Sequence, residues 1–319
     1  MGQKIVILDE PLANLDTAGA EMLMSTLKSL AKAGYCIIVI EHRLDVVLPF
    51  VDKVFHVGNR NVNEITDREN YLTEQSTEIE DACSTFSGTL PAFSLADVAF
   101  SVKDRDILNG VTFDILKGSR AVLLGENGCG KTTLLRLISR LEKPIRGVIL
   151  QNIDDKFGQK SKQQSKKWYK KVGVVYQNPD YQLFMQTVEK EIKFGAKSDE
   201  YADEIAEKFG IKHLYARHPQ SLSEGQKRRV SIAAVVATDP EVLILDEPTV
   251  GQDYKGLCEM VEVLNRIHEE THNTMITVTH DKRCAAALCD RAVWIKDGKT
   301  YKTGGKELVD EFFIQIGRN

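Results

Sequence analysis

Nine consecutive residues, Gly125-Glu126-Asn127-Gly128-Cys129-Gly130-Lys131-Thr132-Thr133, match the phosphate-cradling pattern G-x-x-x-x-G-K-[ST] at every fixed position. Such a loop works only where a strand delivers the chain and a helix carries it away, so it constrains the fold more than any compositional figure. Both flanks fit. Arg120 to Leu124 reads as a short apolar strand, and Leu134, Leu137, Ile138 and Leu141 fall at helical spacing. Glycines let backbone N–H groups turn inward around phosphate, where a helix N-terminus adds partial positive charge. On this pattern Lys131 reaches the β- and γ-phosphates and the Thr132 hydroxyl ligates Mg²⁺.

The chain has 319 residues, 42% hydrophobic and 28% charged, enough for one large globular domain or two smaller ones. A formal net charge of −4 gives no electrostatic case for nucleic acid. Its six cysteines are scattered, without C-x-x-C or a zinc-spaced His cluster, which points to reduced thiols in a cytosolic compartment. No apolar run approaches the roughly 18 to 20 residues of a membrane helix, so any membrane role is expected to be peripheral.

A second constraint is an internal repeat. Lys4 to Leu8 is a buried-type apolar strand running into Asp9-Glu10-Pro11, and Glu241 to Leu245 runs likewise into Asp246-Glu247-Pro248. Asp16 answers to Asp253 and His42 to His280. Each copy continues as helix, apolar strand (Ile37 to Ile40; Met275 to Val278) and histidine. Only the second copy has a phosphate loop before it. The expected organisation is therefore 1–60 as the later half of a first domain, 61–91 as a polar linker, and 92–319 as a complete domain.

Within that domain, Phe93 to Phe100 and Val111 to Leu116 read as antiparallel strands. A lysine-rich stretch from Lys156 to Lys171 reads as a solvated insertion, since Trp168 and Tyr169 alone make no stacking platform. Val172 to Tyr176 is another strand, ending at Gln177, where a polar side chain can sense a metal or water beside a bound phosphate. Helical text is expected from Thr187 to Phe209. Ser223 then caps a helix running to Ala237, and Gly225 and Gln226 lie in its first turn.

Taken together, Gly125 to Thr133, Gln177, Leu222-Ser223-Glu224-Gly225-Gln226, Asp246-Glu247, Asp253 and His280 resemble an ABC-type ATPase domain in order and spacing. The resemblance implies an α/β P-loop NTPase fold with a helical signature subdomain and an antiparallel β-subdomain, preceded by a partial second copy. It also implies ATP as the nucleotide, with Mg²⁺ organised by Thr132, Gln177 and Asp246. Glu247 is implied as the base that orients water, His280 as the switch histidine, and Ser223, Gly225 and Gln226 as the signature that closes over a partner's nucleotide. The stretches Gln177 to Phe184 and Thr249-Val250-Gly251-Gln252-Asp253 look like the ATPases of energy-coupling factor importers for vitamins or metal ions. That subfamily implies a second ABC ATPase domain, a transmembrane scaffold and a substrate-binding membrane subunit as partners, on the cytoplasmic face of the cell membrane. No nucleic acid is expected. The chain departs from the pattern at Val102, where an aromatic is expected to stack on adenine with Phe100 as the substitute, and at Glu224, which replaces a signature glycine. Two alternatives stay open: a soluble ABC ATPase acting on nucleic acid or ribosomes, and a fragment that binds ATP without supporting transport.

Overall fold

A computed structural model describes residues 4–12, 15, 17–41, 43–58, 61–68, 70–71, 88–103, 105–153 and 166–316. Asp16, His42 and most of the lysine-rich stretch lie outside them. The chain divides into two compact units, Met1–Ile79 with Ile314–Asn319, and Glu80–Phe313.

In the first unit, β1 (Ile5–Asp9), α1 (Thr17–Lys32) and β2 (Cys36–Ile40) are followed by a single turn, α2 (Leu44–Val47), and the strands β3 (Phe55–Gly58) and β4 (Asn61–Glu64). β1 and β2 pair in parallel, with Asp9 opposite Ile40. β3 and β4 form a separate antiparallel pair. Residues 61–64, within the stretch expected to be linker, are thus the second strand of a hairpin. One face of β1–β2, carrying Leu8, Ile37 and Val39, packs against Leu12, Ala20, Met24 and Leu27. The other face is open: Ile5, Ile7, Ile38 and Ile40 are 61%, 65%, 47% and 49% exposed. The expectation of a strand buried on both faces therefore fails for β1. Its apolar text is continuous, but only α1 and the residues around it supply cover.

The second unit begins with β5 (Pro91–Val102) and β6 (Arg105–Leu116), an antiparallel pair extended by β8 (Arg146–Gln151). The larger sheet contains β7 (Arg120–Leu124), β9 (Val172–Val175), β10 (Val242–Asp246), β11 (Thr274–Val278), β12 (Arg291–Lys296) and β13 (Lys299–Gly304). Their order is β13-β12-β7-β11-β10-β9, parallel throughout except at the β12–β13 edge. Every residue of β7, β10 and β11 is buried. That is why these strands read as continuous apolar runs and not as alternations.

The helices of this unit are α3 (Lys131–Ile138), α4 (Lys166–Lys171), α5 (Val188–Lys193), α6 (Asp199–Lys208), α7 (Glu224–Val236), α8 (Tyr254–Thr271), α9 (Lys282–Ala287) and α10 (Lys306–Ile316), with α5 and α6 packed on α7. Leu134, Leu135, Leu137 and Ile138 of α3 share one core cluster with Val242, Ile244, Ile276 and Val278 of the sheet and with Phe93, Leu95 and Val98 of β5. The single helix expected from Thr187 to Phe209 is two. The break contains Gly195 at φ +77°, and the Ser198 side chain accepts the Tyr201 amide to start α6 anew. Trp168 is 4% exposed and stacks under the Arg140 guanidinium at 4.4 Å, so it belongs to the core and not to a surface platform.

Candidate active site

Four neighbouring parallel strands, β7, β11, β10 and β9, present their carboxyl ends side by side, the usual position of a ligand crevice in an open α/β sheet. The phosphate loop follows β7, His280 follows β11, Asp246 and Glu247 end β10, and Gln177 follows β9. The fold thus gathers at one sheet edge residues that are far apart in sequence.

Two glycines of the loop are required by close approach. A Cβ on Gly125 would stand 2.5 Å from the Ile295 carbonyl oxygen, and one on Gly130 would stand 2.5 Å from Leu108 Cδ2. Gly130 is also left-handed at φ +104°, immediately before α3 begins at Lys131. Glu126, Asn127 and Gly128 form an exposed lip, while Cys129 is half-buried. Burial pushes the Cys129 thiol up against the opposing pull of Lys131. Lys131 is only 6% exposed, and its Nζ donates to the carbonyl oxygens of Gly125 at 2.6 Å and Glu126 at 2.9 Å. The loop wraps its own lysine and leaves Thr132 exposed and Thr133 half-buried in the first turn of α3.

Across from the loop, burial raises the Asp246 pKa, and the charges of Lys131 and Arg228 and the nearby Thr132 hydroxyl oppose it. Glu247 is 5% exposed and sits at φ +53°, a conformation that costs a β-carbon-bearing residue energy. Its backbone N–H donates to the Val278 carbonyl at 2.8 Å, which turns the side chain toward β11. There its carboxylate accepts the His280 amide at 3.2 Å and lies 3.4 Å from His280 Nε2. Burial, above all, pushes the Glu247 pKa up to about 8.

Ser223 and Gln226 form a reciprocal capping box at the start of α7, each side chain bonded to the other's backbone at 3.3 and 3.2 Å. Gly225 lies under Gln252, whose Nε2 donates to the Gly225 carbonyl at 2.9 Å. Asp253 caps α8 by accepting the Gly256 amide at 2.7 Å. Gln177 has an exposed side chain. Val102 is 51% exposed at the end of β5, and Phe100 packs partly into the core.

Sequence reasoning missed Arg228. It is 1% exposed, and it donates to the Tyr176 carbonyl at 2.8 Å and to the Gln177 carbonyl, tying α7 to the end of β9. Its charge also acts on both Asp246 and Glu247. Nothing in Gln226-Lys227-Arg228-Arg229-Val230 separates this inward arginine from its neighbours except its place two residues before the buried Val230.

The residues fit a nucleotide with a hard divalent cation. The loop leaves no room for β-carbons at Gly125 and Gly130, buried positive charge stands under it, and Thr132 and Asp246 offer paired oxygens of the type Mg²⁺ prefers.

Residues 108–250 match the family model described as ABC transporter. The chain is 40% identical over 215 residues to an energy-coupling factor transporter ATP-binding protein of Enterococcus faecalis, covering 62% of this chain and 72% of that protein. It is 30% identical over 339 residues to a putative HMP/thiamine import ATP-binding protein of Bacillus subtilis, covering 93% of this chain and 61% of that one. Among solved structures, a CbiO subunit from Clostridium perfringens, described as part of the CbiONQ ABC transporter complex, superposes with TM-score 0.60 at 31% identity. The match covers 72% of this chain and 94% of that one. The chain spans 61–64% of the length of several longer relatives that match nearly all of it.

Proposed function

The chain belongs to the family of ABC transporter ATP-binding proteins, and from that membership we propose that its second unit binds ATP with Mg²⁺ and hydrolyses it to drive an energy-coupling factor type importer of a vitamin or metal ion. The observation that carries this reading is the convergence of Lys131, Thr132 with Asp246, and the buried Glu247 beside His280 at one sheet edge. The similarity of the chain to energy-coupling factor and CbiO subunits supports the importer assignment. No helix among the described residues is long and apolar enough to cross a membrane, and in the proposed importer the membrane components are other chains. The protein would then work peripherally, on the cytoplasmic face of the membrane.

Phosphoryl transfer to water requires charge neutralisation and in-line positioning more than covalent chemistry. Lys131 and the amides opening α3 bind the β- and γ-phosphates, and Thr132, Asp246 and Gln177 are the residues that would hold Mg²⁺. When bound, the cation neutralises charge on the phosphate oxygens. Glu247 is placed to orient the attacking water and, in its ionised form, to accept its proton. His280 fixes the Glu247 side chain from above through its backbone amide. Ser223, Gly225 and Gln226 present a capped helix N-terminus that would close over a nucleotide held by another domain.

This assigns hydrolysis to a pair of domains, either two copies of this chain or this chain with a separate ATPase. Two like copies would close with two-fold symmetry. The E247Q variant, expected to bind ATP while hydrolysing it slowly, is expected to sediment as a dimer with Mg-ATP and as a monomer without it. Wild-type activity per chain is expected to fall on dilution. Constant specific activity at high dilution, from a protein that remains monomeric with ATP bound, would sink the paired-site reading.

A further inference from the structure

β9 is the last strand in the order of the larger sheet, so among the described residues one of its edges has no strand beside it. Backbone groups on such an edge need other partners. A side chain supplies them here. Gln182 Oε1 accepts the Tyr176 N–H at 2.9 Å, and Gln182 Nε2 donates to the Val174 carbonyl at 2.7 Å. A carbonyl and the amide two residues further on are the pair that one residue of a parallel neighbour engages. Gln182 thus stands in for a strand one residue long, and only one orientation of its amide satisfies both groups.

This clasp closes a loop back onto its own strand. Between Tyr176 and Gln182 the chain leaves β9 and makes a single turn at Pro179–Tyr181, with the Asn178 side chain accepting the Asp180 amide. Gln177 lies at the root of that loop. The Tyr176 N–H is held by Gln182 and the Tyr176 carbonyl by Arg228 Nη1 at 2.8 Å, so the peptide leading into Gln177 is fixed from two sides. Further ties run to the helical part of the unit. Lys227 of α7 pairs with Asp180 at 2.8 Å, and Gln220 Nε2 donates to the Leu183 carbonyl at 3.4 Å. The buried Glu191 carboxylate of α5 accepts the Phe184 and Met185 amides at 2.9 and 2.7 Å. Of these ties, the two made by Gln182 are the ones to the sheet.

We propose that Gln182 is a positioning residue for Gln177. By clasping the edge of β9 it fixes the backbone from which the Gln177 side chain projects, and with it the place of one group that would hold Mg²⁺. The inference rests on the reading of Gln177 as a Mg²⁺ residue and adds the side chain that sets its place. Without the clasp, Gln177 is left to follow α7 through Arg228, which donates to its carbonyl. The phosphate loop is spared, because it follows β7, with β11 and β10 between it and β9, and keeps its own bonds to Lys131.

The test uses Gln182→Met, which keeps the length of the side chain and loses both bonds, alone and combined with Gln177→Ala. The first readout needs neither metal nor nucleotide: hydrogen exchange of the Tyr176 amide, followed by NMR of the full chain labelled at tyrosine. Exchange about tenfold faster is expected, the order set by one lost hydrogen bond. The second readout separates binding from use of the cation. ATP affinity in EDTA is expected to match wild type, while the Mg²⁺ concentration for half-maximal hydrolysis rises about tenfold. The third is additivity. In the Gln177→Ala background, Gln182→Met is expected to raise the Mg²⁺ requirement no further, as for two residues acting through one group. An equal further rise would make Gln182 a structural tie only and overturn the inference. So would unchanged Tyr176 exchange, or a wild-type Mg²⁺ requirement in Gln182→Met when Gln177→Ala alone raises it. A wild-type requirement in Gln177→Ala itself overturns the reading of Gln177, and the inference with it. If Gln182→Met loses ATP affinity in EDTA and so has not folded, Gln182→Glu takes its place, keeping the acceptor for Tyr176 and losing the donor to Val174. It must then show the Mg²⁺ shift, and a wild-type requirement there overturns the inference.

Discussion

Replacing Glu247 with glutamine is expected to stabilise the second unit, by an amount that grows with pH. The carboxyl is 5% exposed, and burial pushes its pKa from 4.5 to about 8. The native state therefore keeps this proton over a range in which the unfolded chain has released it. Native stability accordingly falls as pH rises from about 4.5 to about 8 and is level above that. Each tenfold change in proton affinity is worth about 1.4 kcal/mol, which makes the penalty about 1 kcal/mol at pH 5.5, about 3 kcal/mol at pH 7 and about 5 kcal/mol beyond pH 8.5. Glutamine keeps an acceptor for the His280 amide and has no proton to lose, so the variant should exceed wild type by these amounts. Urea denaturation without nucleotide, followed by tryptophan fluorescence, measures the difference. Trp168 and Trp294 are both buried in the second unit and report on it alone. A gap that does not change with pH, or a variant weaker than wild type at pH 8.5, would refute the reasoning.

Lys131→Ala is expected to weaken ATP binding by about tenfold to a hundredfold, the value of charge-assisted hydrogen bonds at about 1.5 to 3 kcal/mol; calorimetric titration yielding wild-type affinity would remove Lys131 from the phosphate site. Arg228→Ala leaves the Tyr176 and Gln177 carbonyls without their donor and opens a void between α7 and β9. A loss of about 3 kcal/mol in urea melts is expected, and a loss below 1 kcal/mol would show that the buried guanidinium is not the tie described.

Much of the site was legible because phosphate binding restricts residue type at fixed spacing, and because strands buried on both faces write themselves as apolar runs. Gly125 to Thr133 and Asp246-Glu247 could be placed at strand ends on those grounds alone. The break at Gly195 was not, since apolar spacing on either side stays helical and only the backbone turn at φ +77° divides it. Arg228 was invisible because burial of a charge is decided by distant carbonyls and not by its neighbours in sequence. The open face of β1–β2 escaped notice for a related reason. Apolar text records what a strand is suited to pack against, and the cover itself belongs to other elements.

The position of β7 between β11 and β12 also sets an order of events. Its first residue, Arg120, is fastened by the Asp290 carboxylate, 170 residues further along. At about 5 to 20 residues per second, roughly ten to thirty seconds of synthesis separate the two. For most of that interval the apolar strand leading to the phosphate loop has neither of its neighbours, since β11 is made only at Thr274–Val278 and β12 after Asp290. Nucleotide affinity should therefore arrive late and abruptly in translation. Ribosome-arrested chains ending before Arg291 are expected to retain no labelled ATP, and tight retention by such chains would show that the loop takes shape without the sheet around it.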